Sequence, residues 1–131
     1  MNAESSCDKP LLAEEYPPLA GAVTEVRRTV RTMLTQWQVP GPAAEDILLV
    51  VEELLANVID HAQTPFRITV DRRGSTVQVA VRDRSCAPPR MREVDLTALR
   101  GRGLRLVAAI AQRWGYDGED TGKTVWAEVA V

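Results

Sequence analysis

Between Ala20 and Trp37, apolar residues fall at Val23, Val26, Val30, Leu34 and Trp37, mostly three or four positions apart. That spacing predicts an amphipathic helix, with Glu25, Arg27, Arg28, Arg31 and Gln38 on much of its remaining surface. Gly41-Pro42 then punctuates the chain, and a proline suits the first turn of a new helix. Glu45 and Asp46 favour the positive end of that helix. It is expected to run to about His61, with Ile47, Val50, Val51, Leu54 and Val58 as its core stripe. Beyond it the period falls to two. Phe66, Ile68 and Val70 alternate with polar residues, Arg73-Gly74 supplies a turn, and Val77, Val79 and Val81 alternate on the way back, which predicts a hairpin ending near Asp83. Arg84 to Arg100 reads as a loop, with Pro88-Pro89, scattered arginines and little periodicity. Its length exceeds the usual connection and favours a functional lid. A third helix is expected from Gly101 or Gly103 to about Trp114, its apolar face built from Leu104, Val107, Ala108, Ile110 and Ala111. Two strands follow, near 114–116 and 124–131, joined by a turn over 118–122. A short strand near 11–16 lies between prolines, which restrict it to a sheet edge.

The order helix, helix, strand, strand, helix, strand, strand predicts an α/β fold. It is a two-layer sandwich whose mostly antiparallel sheet is covered on one face by helices. It lacks the regular strand–helix alternation of a Rossmann fold. The 131 residues fit one domain: a flexible segment over 1–15, then a single unit over 16–131. A formal net charge of −2 argues against a molecule built as a nucleic-acid ligand. No apolar run reaches the roughly 18 residues that span a bilayer, and the polar, acidic start is unlike a signal peptide. Cys7 and Cys86 are too far apart for zinc-ribbon spacing and read as free thiols in a reducing compartment. A cytoplasmic location is expected. Lysine occurs only at Lys9 and Lys123, the other bases being arginine, a balance that reads first as genome composition.

Candidate chemistry begins with a polar seam on the otherwise apolar second helix. Glu53 and Asn57 stand at i and i+4 and point the same way. A carboxylate beside bound triphosphate can accept a hydroxyl proton, and a carboxamide oxygen suits magnesium, which needs few protein ligands when phosphates supply the rest. Glu52 lies about 100° round the helix from Glu53, so Glu53 is the favoured base. Asp83, past a strand end, can accept a hydrogen bond from the amino group of an adenine, and it also suits a plain turn. Gly101-Arg102-Gly103 opens a helix, where glycines and free N–H groups suit phosphate and Arg102 and Arg105 suit its oxygens. A plain helix-starting loop would look the same. Gly122-Lys123-Thr124 lacks the glycine spacing of a phosphate loop and leads into a strand, so that role is rejected. A Thr124 hydroxyl beside the base-binding aspartate fits better. His61 reads as a satisfied helix-end histidine, and the tryptophans as packing residues.

Taken in order, these segments resemble the histidine-kinase-like ATPase superfamily, and within it the small bacterial anti-sigma factors with serine-kinase activity. The resemblance covers about residues 16–131. EELLANVIDHA resembles the family's N box, VRDRSCAPP its first glycine box, GRGLRLVAAIAQRWG its second, and GKTVWAEV its closing strand. It implies an α/β sandwich binding ATP with Mg2+ beneath a lid. It implies Glu53 as catalytic base and Asn57 as magnesium ligand. Asp83 and Thr124 would lie at the adenine, and Gly101, Arg102, Gly103, Leu104 and Arg105 on the phosphate side. The implied partners are a sigma factor and an anti-anti-sigma protein phosphorylated on serine; many members are homodimers. Arg27, Arg28 and Arg31, on the first helix, would be surface determinants for partners. The first glycine box departs from its Asp-x-Gly-x-Gly pattern, because Ser85 and Ala87 stand at the glycine positions. If those positions require φ > 0, both residues carry a cost, and Pro88-Pro89 would stiffen the start of the lid.

Two other readings share the fold. A non-catalytic partner switch, with ATP weakly bound or absent, is motivated by the altered glycine box. The ATPase module of a sensor histidine kinase would need a phosphoacceptor histidine, and the only histidine is His61, inside the N box.

Overall fold

A computed structural model describes residues 15–88 and 103–131. Helix α1 spans Ala20–Gln36 and α2 spans Gly41–Asn57, continued by a π-helical turn over Val58–Ala62. Strand β1 is Glu15–Tyr16, β2 is Phe66–Arg73 and β3 is Thr76–Asp83. Helix α3 is Gly103–Ile110, and the chain closes with β4, Arg113–Glu119, and β5, Gly122–Ala130. The strands form one fully antiparallel sheet in the order β1-β2-β3-β5-β4. This is the expected α/β sandwich with helices packed on the sheet.

Alternation decides which face they cover. Phe66, Ile68 and Val70 of β2, Val77, Val79 and Val81 of β3, and Val125, Ala127 and Val129 of β5 are all buried. They meet Val26, Val30 and Leu34 of α1 and Ile47, Val50, Val51, Leu54 and Leu55 of α2 in a single core. Burial of this apolar surface is the main term favouring the fold. Helix α2 is the central element, packing on α1, α3, β3 and β5. Its buried stripe is wider than the predicted one and takes in Leu48, Leu55 and Ala56, because layers on two sides cover it. The opposite face of the sheet carries Gln78, Arg82, Thr124, Trp126 and Glu128. There Arg113 Nη2 lies 3.0 Å from Glu128, and Arg82 pairs with Glu119.

Several boundaries differ from the expected ones. The third helix ends at Ile110 rather than near Trp114, and Trp114 lies within β4. That strand runs over seven residues despite Gly115, Asp117 and Gly118, because pairing with β5 outweighs their weak strand preference. Gly115 also makes room for a neighbour: a Cβ there would sit 3.0 Å from Cζ2 of Trp126. The hairpin turn falls at Gly74-Ser75, one residue later than expected, with Gly74 at φ +61°. Of the expected edge strand, the described part is Glu15–Tyr16, where Tyr16 stacks on Phe66 with ring centroids 5.6 Å apart. The remainder, with most of the expected flexible segment and Cys7, lies outside the described residues, as does most of the expected lid. Among the described residues, no helix is long and apolar enough to cross a membrane.

Candidate functional site

Three polar or charged residues are buried among the described ones: Asn57, Asp83 and Lys123. All three lie where the end of α2 meets the open end of β3 and β5. Such groups are costly to bury without partners, so their gathering at one place marks a site. A polar cavity of about 300 Å³ opens there, lined by Asn57, Asp60, His61, Gln63, Ser85 and Lys123 among others.

The local backbone shapes this cavity. At Val58 the α-helix gives way to the π-helical turn, which closes at Gln63 in a left-handed conformation, φ 55°. Such turns widen a helix and are frequent at functional sites; here Asn57, Asp60 and His61 all reach the cavity. Asn57 therefore faces the cavity. Glu53, one turn earlier, is half-buried and falls outside the residues that line the cavity. Glu52 turns toward α1, where its carboxylate lies 3.2 Å from Nε of Arg27. Arg31 pairs with Glu45 at 3.2 Å. Two of the three clustered arginines thus tie α1 to α2, and Arg28 is exposed.

Asp83 is the last residue of β3 and the register partner of Lys123 on β5. The Lys123 Nζ lies 3.2 Å from Oδ1, donating a hydrogen bond, and 2.9 Å from Oδ2. The shorter approach to Oδ2 is a charge contact rather than an aligned hydrogen bond, since that oxygen accepts none within the protein. Oδ1 also accepts from the Ser85 N–H at 2.8 Å. The two side chains are 1% and 4% exposed, which seals the pair from water. Gly122 permits the approach of the strands: a Cβ there would sit 2.1 Å from the Asp83 carbonyl oxygen.

The same alternation puts Thr124 on the outer face, paired with Arg82 and Asp117. It is Lys123, not Thr124, that the structure brings to Asp83. Asp83 itself is absent from the cavity lining and borders a different depression with Glu15, Arg67, Arg82 and Arg84. Ser85 and Ala87 take no positive φ, so the strain feared at the two glycine positions does not arise. The loop is held by its own side chains instead: the Ala87 N–H donates to Ser85 Oγ at 3.2 Å. On α3, Leu104 is fully buried in the core and Arg105 is exposed. Gly103 begins the helix, whereas Gly101 and Arg102 lie outside the described residues. Lys123, Asp60 and Gln63 line the cavity and were not selected by the sequence reading. Counting back by twos from Val129, Ala127 and Val125 would have placed Lys123 on the inner face.

Among the described residues, no group of three or more histidine, cysteine, aspartate or glutamate side chains could hold a metal. A single carboxamide oxygen in a polar cavity nonetheless fits magnesium that brings phosphate and water oxygens with it.

The sheet order and the helices packed on it make a two-layer α/β sandwich with a polar cavity at the end of α2. The model of the Histidine kinase-like ATPase domain matches residues 16–129, and the chain belongs to that family. Among the solved structures similar to it are two that cover nearly all of the chain. One contains the RsbU and RsbW domains of Rv1364c from Mycobacterium tuberculosis, with TM-score 0.69 and 17% identity over 93% of this chain. This chain spans only 32% of that longer one. The other is the SiaB–SiaC complex from Pseudomonas aeruginosa, with TM-score 0.71 and 17% identity, covering 96% of this chain and 93% of that one. At such identities the likeness is one of fold. No curated protein sequence matches the chain.

Proposed function

We propose that this chain is a partner-switch regulator of the anti-sigma class, transferring phosphate from magnesium–ATP to a serine of an anti-anti-sigma protein. Phosphorylation would release that partner and free the chain to hold a sigma factor. The observation that carries this reading is the buried Asn57 carboxamide at the polar cavity where α2 meets the sheet. Asn57 would hold magnesium through its side-chain oxygen, and Glu53, one turn back on the same helix line, would accept the proton of the serine hydroxyl. ATP would supply the phosphoryl group, and the metal would neutralise charge on its oxygens. Asp83 would recognise the base, and Gly101, Arg102, Gly103 and Arg105 would lie toward the phosphates. The SiaB–SiaC complex, a fold neighbour solved in complex with another protein, supports a protein as the binding partner.

Titration calorimetry on the purified chain tests this directly. Saturable ATP binding that requires magnesium, is lost in Asn57→Ala and is kept in Glu53→Gln is expected. Binding indifferent to both magnesium and Asn57 would remove the assignment.

A second reading, a switch that exchanges partners without catalysis, is favoured by one observation. The Ser85 and Ala87 N–H groups, at the positions where the family pattern has glycine, already donate to Asp83 and Ser85 side chains. They are thereby withdrawn from any ligand. A folded protein that binds its partner equally well with and without nucleotide would establish this reading over the first.

A further inference from the structure

The Asp83–Lys123 pair changes what the cavity can read. A carboxylate accepts hydrogen bonds, whereas an ammonium offers three donors and no acceptor. Lys123 lines the cavity and Asp83 does not, so from that side Lys123 stands in front of the carboxylate. Behind it, Oδ1 of Asp83 is taken by Lys123 and by the Ser85 N–H. Oδ2 is in charge contact with Nζ at 2.9 Å and accepts no aligned hydrogen bond. The amino group of an adenine would therefore confront a donor. A base with an oxo group at the same position would present an acceptor to Nζ in place of a donor.

The arrangement is built into the sheet. Asp83 and Lys123 are register partners, so both side chains emerge on the inner face at the same level. Glycine at 122 lets the strands close to a distance that any side chain would prevent. The pair's burial excludes the water that would otherwise let the ammonium swing away at little cost.

We infer that Lys123 determines base specificity at this cavity: it screens Asp83 from 6-aminopurines and favours a 6-oxopurine nucleotide. The inference rests on the reading of the cavity as a nucleotide site, with Asp83 at the base.

Inosine triphosphate differs from ATP in carrying an oxo group and a ring N–H where adenine has its amino group and a bare ring nitrogen. It is therefore the probe. Calorimetric titrations of the wild-type chain with magnesium–ITP and magnesium–ATP are compared with those of Lys123→Thr, which leaves a short hydroxyl able to donate to Asp83. The wild type is expected to bind ITP at least as tightly as ATP. Lys123→Thr is expected to gain ATP affinity by about tenfold or more, as a hydrogen bond to a charged group would confer, and to prefer ATP over ITP. The wild-type comparison needs no variant, so misfolding of Lys123→Thr would leave it decisive. A wild type that prefers ATP by about tenfold, or a folded Lys123→Thr with unchanged ATP affinity, would overturn the inference. If that happens while ATP binding still needs magnesium and Asn57, the proposed function survives and only the role of Lys123 falls. ATP binding that appears only in Lys123→Thr would uphold the inference and move the native chain to the non-catalytic reading. Absence of binding by either protein to either nucleotide would end both.

Discussion

The candidate site rests on a handful of residues. Asn57 and Glu53 share a helix line, yet only Asn57 lines the cavity and is buried. Their substitutions should therefore separate cleanly. Glu53→Gln is expected to lower phosphoryl transfer by about 10²–10⁴-fold, the usual contribution of a general base, while leaving nucleotide affinity near wild type. A radiolabelled transfer assay beside a binding titration would check this, and undiminished transfer would exclude Glu53 as the base. Gly122 controls the other half of the site through the close approach of β3 and β5. The Cβ of Gly122→Ala would meet the Asp83 carbonyl oxygen at 2.1 Å, a backbone atom that cannot turn aside. Urea denaturation should register a loss of about 1–3 kcal/mol or more, the range for overpacking, and a stability equal to wild type would contradict the close approach. Sequence reading put Asn57 and Glu53 on one helix line and Asp83 at a strand end because helix periodicity and alternation fix those positions. It selected Thr124 over Lys123 because it weighed hydroxyl chemistry and left alternation aside. A strand's period of two leaves no freedom once Val125, Ala127 and Val129 face inward.

At the scale of elements, the α2 helix unites core and site. Its apolar stripe supports the sheet while its last turn, loosened into a π-helical bulge, delivers Asn57, Asp60 and His61. Leu54 is 1% exposed in the core and lies one turn before Val58, where that bulge begins. Leu54→Ala is expected to cost about 2–5 kcal/mol. Chemical denaturation would measure it; a cost well under 1 kcal/mol would mean the helix is not packed as described. The two long helices and the hairpin were legible because their apolar positions recur at one dominant period. The ends were not. The stop at Ile110 and the full length of β4 depend on pairing with β5, a partner distant in sequence, and local preference at Gly115 and Gly118 points the other way. The π-helical turn has no local pattern that distinguishes it from a continued α-helix, since Val58 and Ile59 resume the apolar run directly after Asn57.

For the whole molecule, one core joins both long helices to the sheet, so the described unit should unfold in a single cooperative transition. Coincident melting followed by far-ultraviolet dichroism and tryptophan fluorescence would check this; separated transitions would contradict a common core. The family's architecture is thus present across the described residues, while the Asp83–Lys123 pair departs from the chemistry that the resemblance implies. Asparagine and glutamate are kept on the helix, and the aspartate is kept on the strand but bound to a lysine. The central claim is that this cavity takes a nucleotide through magnesium held at Asn57. It is tested most directly by titrating the wild-type chain and Asn57→Ala with ATP in the presence of magnesium and again in chelator. Saturable heat from the wild type that disappears both in chelator and in the variant is the predicted result. Identical titrations for the two proteins, or none at millimolar ATP from protein shown by dichroism to be folded, would contradict it.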